Sequence, residues 1–370
     1  MKKDTLSHPP KQPHQLLSRM RNWMRRHPHR TYAIAGLGVI VIALIIVAVI
    51  YIANPQKTID IPPIKIAKRP PAPVVHYSPL TGVKVADEAA TKQAVTAIMI
   101  ENSPDARPQS GIKQAGVVYE AIAEGGITRF LALYQEAKPG LIGPVRSVRM
   151  YYVDWAAPYN ASIAHIGGSA AALAEVRNGN YRDIDQFFNS GSYWRARDRY
   201  APHNVYTNFE RLDALNRSKG YVESKFTGFA RTDDKPHEAP SATSINMTIS
   251  GALYNTHYDY DKASNSYLRS IGGAPSDDRE EGRITPKVVI AMKVDMTHVM
   301  EDGWRESITT SGAGSAVIFQ NGIANEVTWR KNSRNDPLQF IDGNGKEVPL
   351  NRGQTWITAI PNSHGGVSWQ

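Results

Sequence analysis

At 370 residues, 41% of them hydrophobic and 21% charged, the chain is long enough for one large or two ordinary domains with buried cores. Its formal charge of +9 is local: Lys2, Lys3, Lys11, Arg19, Arg21, Arg25, Arg26 and Arg30 face Asp4 alone, so residues 1–30 carry +7 and the other 340 only +2. A nucleic-acid-coating surface is therefore not expected, and the absence of cysteine excludes structural disulfides, thiolate metal sites, a Cys nucleophile and a lipidated cysteine.

Residues 1–32 read as a basic cytoplasmic tail. Residues 33–53, AIAGLGVIVIALIIVAVIYIA, are 21 uncharged, mostly aliphatic residues, which as a helix span ~30 Å, the thickness of a bilayer core. The sequence predicts one transmembrane helix, with the N-terminus inside because basic residues crowd its leading flank. A cleaved signal peptide fits less well, since Tyr51 and Ile52 stand where small residues belong, and a buried core helix would need polar positions at helical spacing. The expected location is the cytoplasmic membrane, single-pass, with everything beyond Asn54 outside.

Residues 54–77 hold Pro55, Pro62, Pro63, Pro70, Pro71 and Pro73. They read as an extended linker reaching up to ~70 Å, or alternatively as a ligand for an aromatic groove.

From Ser78 the pattern alternates. AVTAIMIEN (94–102) reads as a strand ending in Glu101 and Asn102, and two further apolar runs flank Gly125-Gly126 as a hairpin. Val145, Val148, Tyr152 and Trp155 recur at helical spacing, predicting a helix from about Ser147. ASIAHI reads as a short strand, Gly167-Gly168 as a turn, and the segment after Ser169 as a capped helix. This predicts a mixed α/β domain over 78–225. Residues 226–243, polar and proline-bearing, read as a linker. Short β runs over 244–362 predict a smaller, mostly antiparallel domain, an α+β chain in all.

RPQSG (107–111), EAIAEGGITRF, IGPVRSVR, HIGGS and YAPHNVYTN (200–208), followed by YDYDKASNSYLRS and FIDGNGKEVPLNRGQTWITAIP, resemble the bacterial YerB-like lipoprotein family. Its two parts are the N- and C-terminal domains of unknown function 3048. The resemblance covers roughly 78–362. It implies a two-domain extracytoplasmic protein with an α+β first domain and no established activity. Family members are often anchored through a lipidated cysteine; here the helix at 33–53 would replace that anchor.

Three arginines, Arg129, Arg146 and Arg149, sit among glycines and apolar residues. If a helix starts near Ser147, Arg146 and Arg149 share a face. They read either as internal struts paired with Glu120, Glu124 or Asp154, or as a fork for a carboxylate or phosphate. A strand, Gly167, Gly168, Ser169 and a helix start favour an anion at the same point. Arg107, His165, His203 and Asn204 complete the candidate ligand-binding set, the ligand being an anionic cell-wall component. The Gly167-x-Ser169 pattern also approaches a nucleophile elbow, with Ser169 alternatively a plain N-cap. Catalytic candidates for an envelope hydrolase are Ser169, His203, with Asp198 in chain order, and Glu124. Glu120 and Glu124 in one strand would share a face ~13 Å apart, too far for the carboxylate pair of sugar cleavage. His165 in an apolar strand reads more readily as a core histidine, and the Asp259, Asp261, Asn265 run as a strand edge entering a turn. No cofactor and no metal ion is expected, and the partner expected besides the ligand is the membrane itself.

Overall fold

The computed structural model describes residues 13–53, 74–297 and 306–370, which fall into two compact units, 1–72 and 73–370. Residues 54–73 of the expected proline-rich linker lie outside the described residues.

The first unit holds two helices, α1 (Pro13–Arg26) and α2 (Pro28–Ala53). Pro28 at the first helical position loses no hydrogen bond there. The helix α2 contains the predicted 33–53 span, starts earlier, buries none of its residues and is long and apolar enough to cross a membrane. The tail was not expected to be helical; α1 is.

In the second unit a ten-stranded sheet is assembled from β1 (Thr96–Glu101), β2 (Val117–Glu124), β3 (Ile127–Tyr134), β4 (Ser162–Ala164) and β5 (Arg182–Asp183). A second sheet holds β6 (Ser244–Thr248), β7 (Thr256–Asp261), β8 (Ser266–Ile271) and β9 (Ala274–Pro275). The large sheet continues with β10 (Val288–Val294), β11 (Gly312–Gln320), β12 (Ile323–Lys331), β13 (Gln339–Ile341) and β14 (Thr355–Pro361), and β15 (Gly366–Trp369) closes the small one. The spatial orders are 13-12-11-10-14-2-3-1-4-5 and 9-8-7-6-15.

The small sheet is antiparallel throughout. The surprise is β14, which pairs in parallel with β10 on one side and β2 on the other. The large sheet thus takes strands from both sides of residues 226–243. That segment is itself paired, Arg231–Thr232 lying parallel to Leu350–Asn351.

Alternation along the strands divides the interior between the two faces of the sheet. Ala97 and Met99 enter one core with Tyr152 and Trp155 of α3 (Met150–Ala156) and Val176 of α4 (Ala170–Asn178). Ile98 and Ile100 enter a second core with Phe209 and Leu212 of α5 (Phe209–Ser218). Val289 and Ala291 of β10 meet Ile245, Tyr258 and Tyr267 of the small sheet in a third. Strands covered on both faces explain the unbroken apolar runs read from the sequence.

Two local readings are corrected. The helix begins at Met150, with Arg149 at its N-cap in extended conformation (φ −126°, ψ 158°). Residues 145–148 are instead tied to neighbouring backbone: Arg146 N donates to Met99 O and Val148 N to Gly167 O. In extended chain, positions three apart point to opposite sides, so Arg146 and Arg149 do not share a face. Glu120 and Glu124 do not share one either, because a bulge between Ile122 and Glu124 shifts the register.

Candidate functional site

Glu124 collects two of the three arginines. Its Oε1 accepts from Arg129 Nη2 at 2.7 Å and its Oε2 from Arg149 Nη2 at 2.5 Å. The other ends are tied to backbone, Arg129 Nη1 to Ser147 O and Arg149 Nη1 to Val148 O, both at 2.8 Å. Burial would raise the Glu124 pKa, but the charges of Arg129 and Arg149 outweigh it and hold the carboxyl below its ordinary value. These two guanidinium groups lock the junction between β2, β3 and the start of α3.

The glycine turn is likewise internally satisfied. Gly167 takes φ +63°, Ser169 N donates to Val148 O, and Ser169 Oγ caps α4 by accepting from Ala172 N at 3.4 Å. A Cβ on Gly168 would meet Val148 Cγ1 at 2.8 Å, so the turn is packed tight against the extended segment 145–148. His165 is fully buried, one ring nitrogen at 2.8 Å from Gly167 O and the other at 3.0 Å from Asp183 Oδ1. Ser169 and His203 are not brought together: the partners of His203 are elsewhere.

Those partners form the second cluster. Glu101, at the end of β1, is 3% exposed. Its Oε1 accepts from Ser103 Oγ at 3.0 Å and lies 2.9 Å from His203 Nδ1, with Arg146 Nε at 3.2 Å. Its Oε2 is buried without a partner, an unmet acceptor in an otherwise crowded group. A carboxylate at Nδ1 orients the ring and turns Nε2 toward the other side. Nε2 stands 4.0 Å from Asp105 Oδ2.

A cavity of about 650 Å³ opens beside this pair, lined by Asp105, Arg107, Asp198, Arg199, Tyr200, Ala201, His203 and Arg279. Arg107 donates through Nε to Asn102 Oδ1 and through Nη2 to the carbonyls of Asn102 and Leu253, each at 3.0–3.2 Å, with its guanidinium over the Tyr254 ring. Burial, then the nearby charge of Arg269, push its pKa below the ordinary value, against the pull of Glu120. Arg199 donates to Asp105 O at 2.9 Å and Pro108 O at 2.7 Å. Both cations are thus fixed by neutral carbonyl and amide oxygens, which orient a guanidinium without cancelling its charge. Arg279, by contrast, is paired with Asp198 at 2.6 Å. Asn204 braces the loop from behind, its Oδ1 accepting from Arg195 and its Nδ2 donating to Ala196 O and Arg199 O.

The structure therefore splits the sequence-predicted set. Arg107, His203 and, through Glu101, Arg146 gather at the cavity; Arg129, Arg149, His165, Gly167, Gly168 and Ser169 belong to the packed junction. Arg199, Arg279, Glu101 and Asp105 were missed as site residues. For Glu101 and Asp105 the signal lay in their place beside RPQSG; for Arg279, 81 residues from its partner Asp198, there was none. A larger cavity of about 690 Å³, lined among others by Glu175, Tyr181, Arg182 and Arg334, contains none of the predicted site residues, and there Arg334 is neutralised by Asp154 and Glu175.

The family described as protein of unknown function DUF3048 matches this chain twice, by its N-terminal domain at residues 80–222 and its C-terminal domain at 245–357. "Putative lipoprotein YerB" of Bacillus subtilis (strain 168) is 32% identical over 290 residues, covering 77% of this chain and 86% of that protein. The crystal structure of YerB from Bacillus subtilis superposes with a TM-score of 0.70 at 28% identity, covering 79% of this chain and 99% of the solved one.

Proposed function

The chain belongs to the YerB-like, DUF3048 family, and from that premise we propose that it is a membrane-anchored protein of the cell envelope whose outer unit binds an anionic envelope ligand at the Arg107–Arg199–His203 cavity. The anchor is α2, standing where a relative described as a lipoprotein would carry a lipid, and the orientation follows from the basic leading flank.

The observation that carries the binding reading is the state of Arg107 and Arg199. Two guanidinium groups held by carbonyls at a cavity wall keep their charge for a ligand, and their planar forks suit carboxylate or phosphate. Asp105 and Asp198 line the same cavity, which favours a ligand bearing hydroxyl or amine donors beside its anionic group, such as a phosphorylated polyol or an acidic sugar of the wall. Calorimetric titration with glycerol phosphate and with a muramyl peptide tests this. Binding that weakens in Arg107→Gln supports it; binding indifferent to that change overturns it.

A second reading, an envelope hydrolase, rests on the Glu101–His203 pair, which resembles an oriented general base. Ser103 Oγ is 3.3 Å from His203, but on the same nitrogen that Glu101 holds, whereas a serine relay needs acid and nucleophile on opposite ring nitrogens. The hydrolase would have to act through Nε2 on water. Release of soluble fragments from purified walls, abolished by His203→Ala, is its test.

A further inference from the structure

The helix α1 has an uncovered apolar stripe beside the membrane span. At 100° per residue, Leu17, Met20, Trp23 and Met24 fall within an arc of roughly 120°, and they are 63%, 56%, 41% and 37% exposed. Arg19 and Arg21 flank that arc, and Asn22, Arg25 and Arg26 lie on the far side; residues 13–26 contain no acid. His27 alone separates α1 from α2, whose first residue is Pro28. His27 N still donates to Trp23 O, but Pro28 has no N–H to offer the preceding turn, so the two helices join at a natural hinge.

We infer that α1 lies in the surface of the membrane that α2 crosses, its Leu17–Met20–Trp23–Met24 face sunk among the lipids and its arginines on anionic headgroups. The inference rests on the reading of α2 as the anchor. Charge decides the occupant: an apolar arc edged by arginines matches an anionic lipid surface, where long cationic side chains reach back to the phosphates while their stems stay apolar. The hinge lets one helix lie flat while the next crosses. The anchor is then two-part, and its affinity depends on lipid charge.

The absence of cysteine makes the test direct. Single cysteines are placed in the full chain by Met20→Cys, Met24→Cys, Asn22→Cys and Leu44→Cys, given nitroxide labels, and the protein is reconstituted in phosphatidylcholine vesicles with and without phosphatidylglycerol. Collisions with oxygen report lipid and collisions with a water-soluble nickel chelate report solvent. The label at 44 is expected in lipid throughout. Labels at 20 and 24 move from chelate-accessible to oxygen-accessible when phosphatidylglycerol is added, by several-fold in the collision ratio, while 22 stays in water. With 44 in lipid, equal chelate access at 20, 22 and 24 in both compositions overturns the inference and leaves the stripe to a protein partner. Chelate access at 44 overturns the anchor reading, and this inference with it.

Discussion

Arg269 meets Glu120 across 149 residues of chain, its Nη2 at 3.1 and 2.9 Å from the two carboxylate oxygens, with both side chains sealed from solvent. Trp356 Nε1 donates to the same carboxylate at 3.1 Å, and Asn102 carries the network on to Arg107 at the cavity. Strands β2, β8 and β14, from both family halves, are thereby bolted at one point. Removing one partner strands a buried charge, which costs about 3–5 kcal/mol, whereas removing both often costs less. Arg269→Met should lower stability by that amount in urea unfolding, and Glu120→Gln in the same chain should recover part of it. A loss below about 1 kcal/mol would show that the pair is not what joins the halves.

The same arrangement bears on residues 226–243, expected as an open boundary. Arg231 donates to Asn351 O, Thr355 Oγ1 and Leu80 O, and Phe229 is buried. With β14 between β10 and β2, unfolding either half exposes the other's central strand. The unit 73–370 is expected to melt in a single transition whose calorimetric and van't Hoff enthalpies agree. Two transitions, or two stable fragments after cleavage within 226–243, would favour the two-domain reading instead.

Glu124 gives the acid limb a predicted shape. A carboxyl held below its ordinary value of 4.5 contributes stability that is complete above that value and lost as the pH falls through its folded pKa. Stability should therefore be level above about pH 5 and decline below 4.5, and Glu124→Gln should lower the plateau while flattening the decline. An unchanged acid limb in the variant would remove Glu124 from this role.

Ser169 is predicted to act only as a cap. Ser169→Ala should cost about 1 kcal/mol, the usual loss of an N-cap oxygen, with ligand binding and any wall-cleaving activity unchanged. Loss of activity at preserved stability would return Ser169 to the candidate nucleophiles.

Much of the local structure was legible because it is written in nearest neighbours. The apolar span at 33–53, the hairpin at Gly125-Gly126, where both glycines take positive φ, and the cap at Ser169 follow from short-range chemistry. The placement of β14 does not, since its parallel pairing with β2 joins residues more than 200 positions apart and an apolar run carries no address. The arginines divide between the two readings for a related reason, Arg129 and Arg149 being struts on Glu124. Their number and apolar setting were visible, but whether a guanidinium is cancelled depends on which oxygen it reaches: the carboxylate of Glu124 for Arg129 and Arg149, the carbonyls of Asp105 and Pro108 for Arg199. The start of α3 was misplaced by three residues because Val145 and Val148 mimic a helical repeat while making isolated bridges to Ile100 and Gly168.

The most direct test of the account is the affinity of the full-length protein, in lipid nanodiscs, for poly(glycerol phosphate), measured by calorimetry alongside an Arg107→Gln/Arg199→Gln variant. The account predicts that the wild type binds with an affinity that falls as salt rises, that the variant binds at least about tenfold more weakly, a loss of roughly 1.4 kcal/mol, and that the melting temperatures of the two stay close. Equal affinity in both proteins, or no binding by the wild type to this polymer, to glycerol phosphate or to a muramyl peptide, would contradict it.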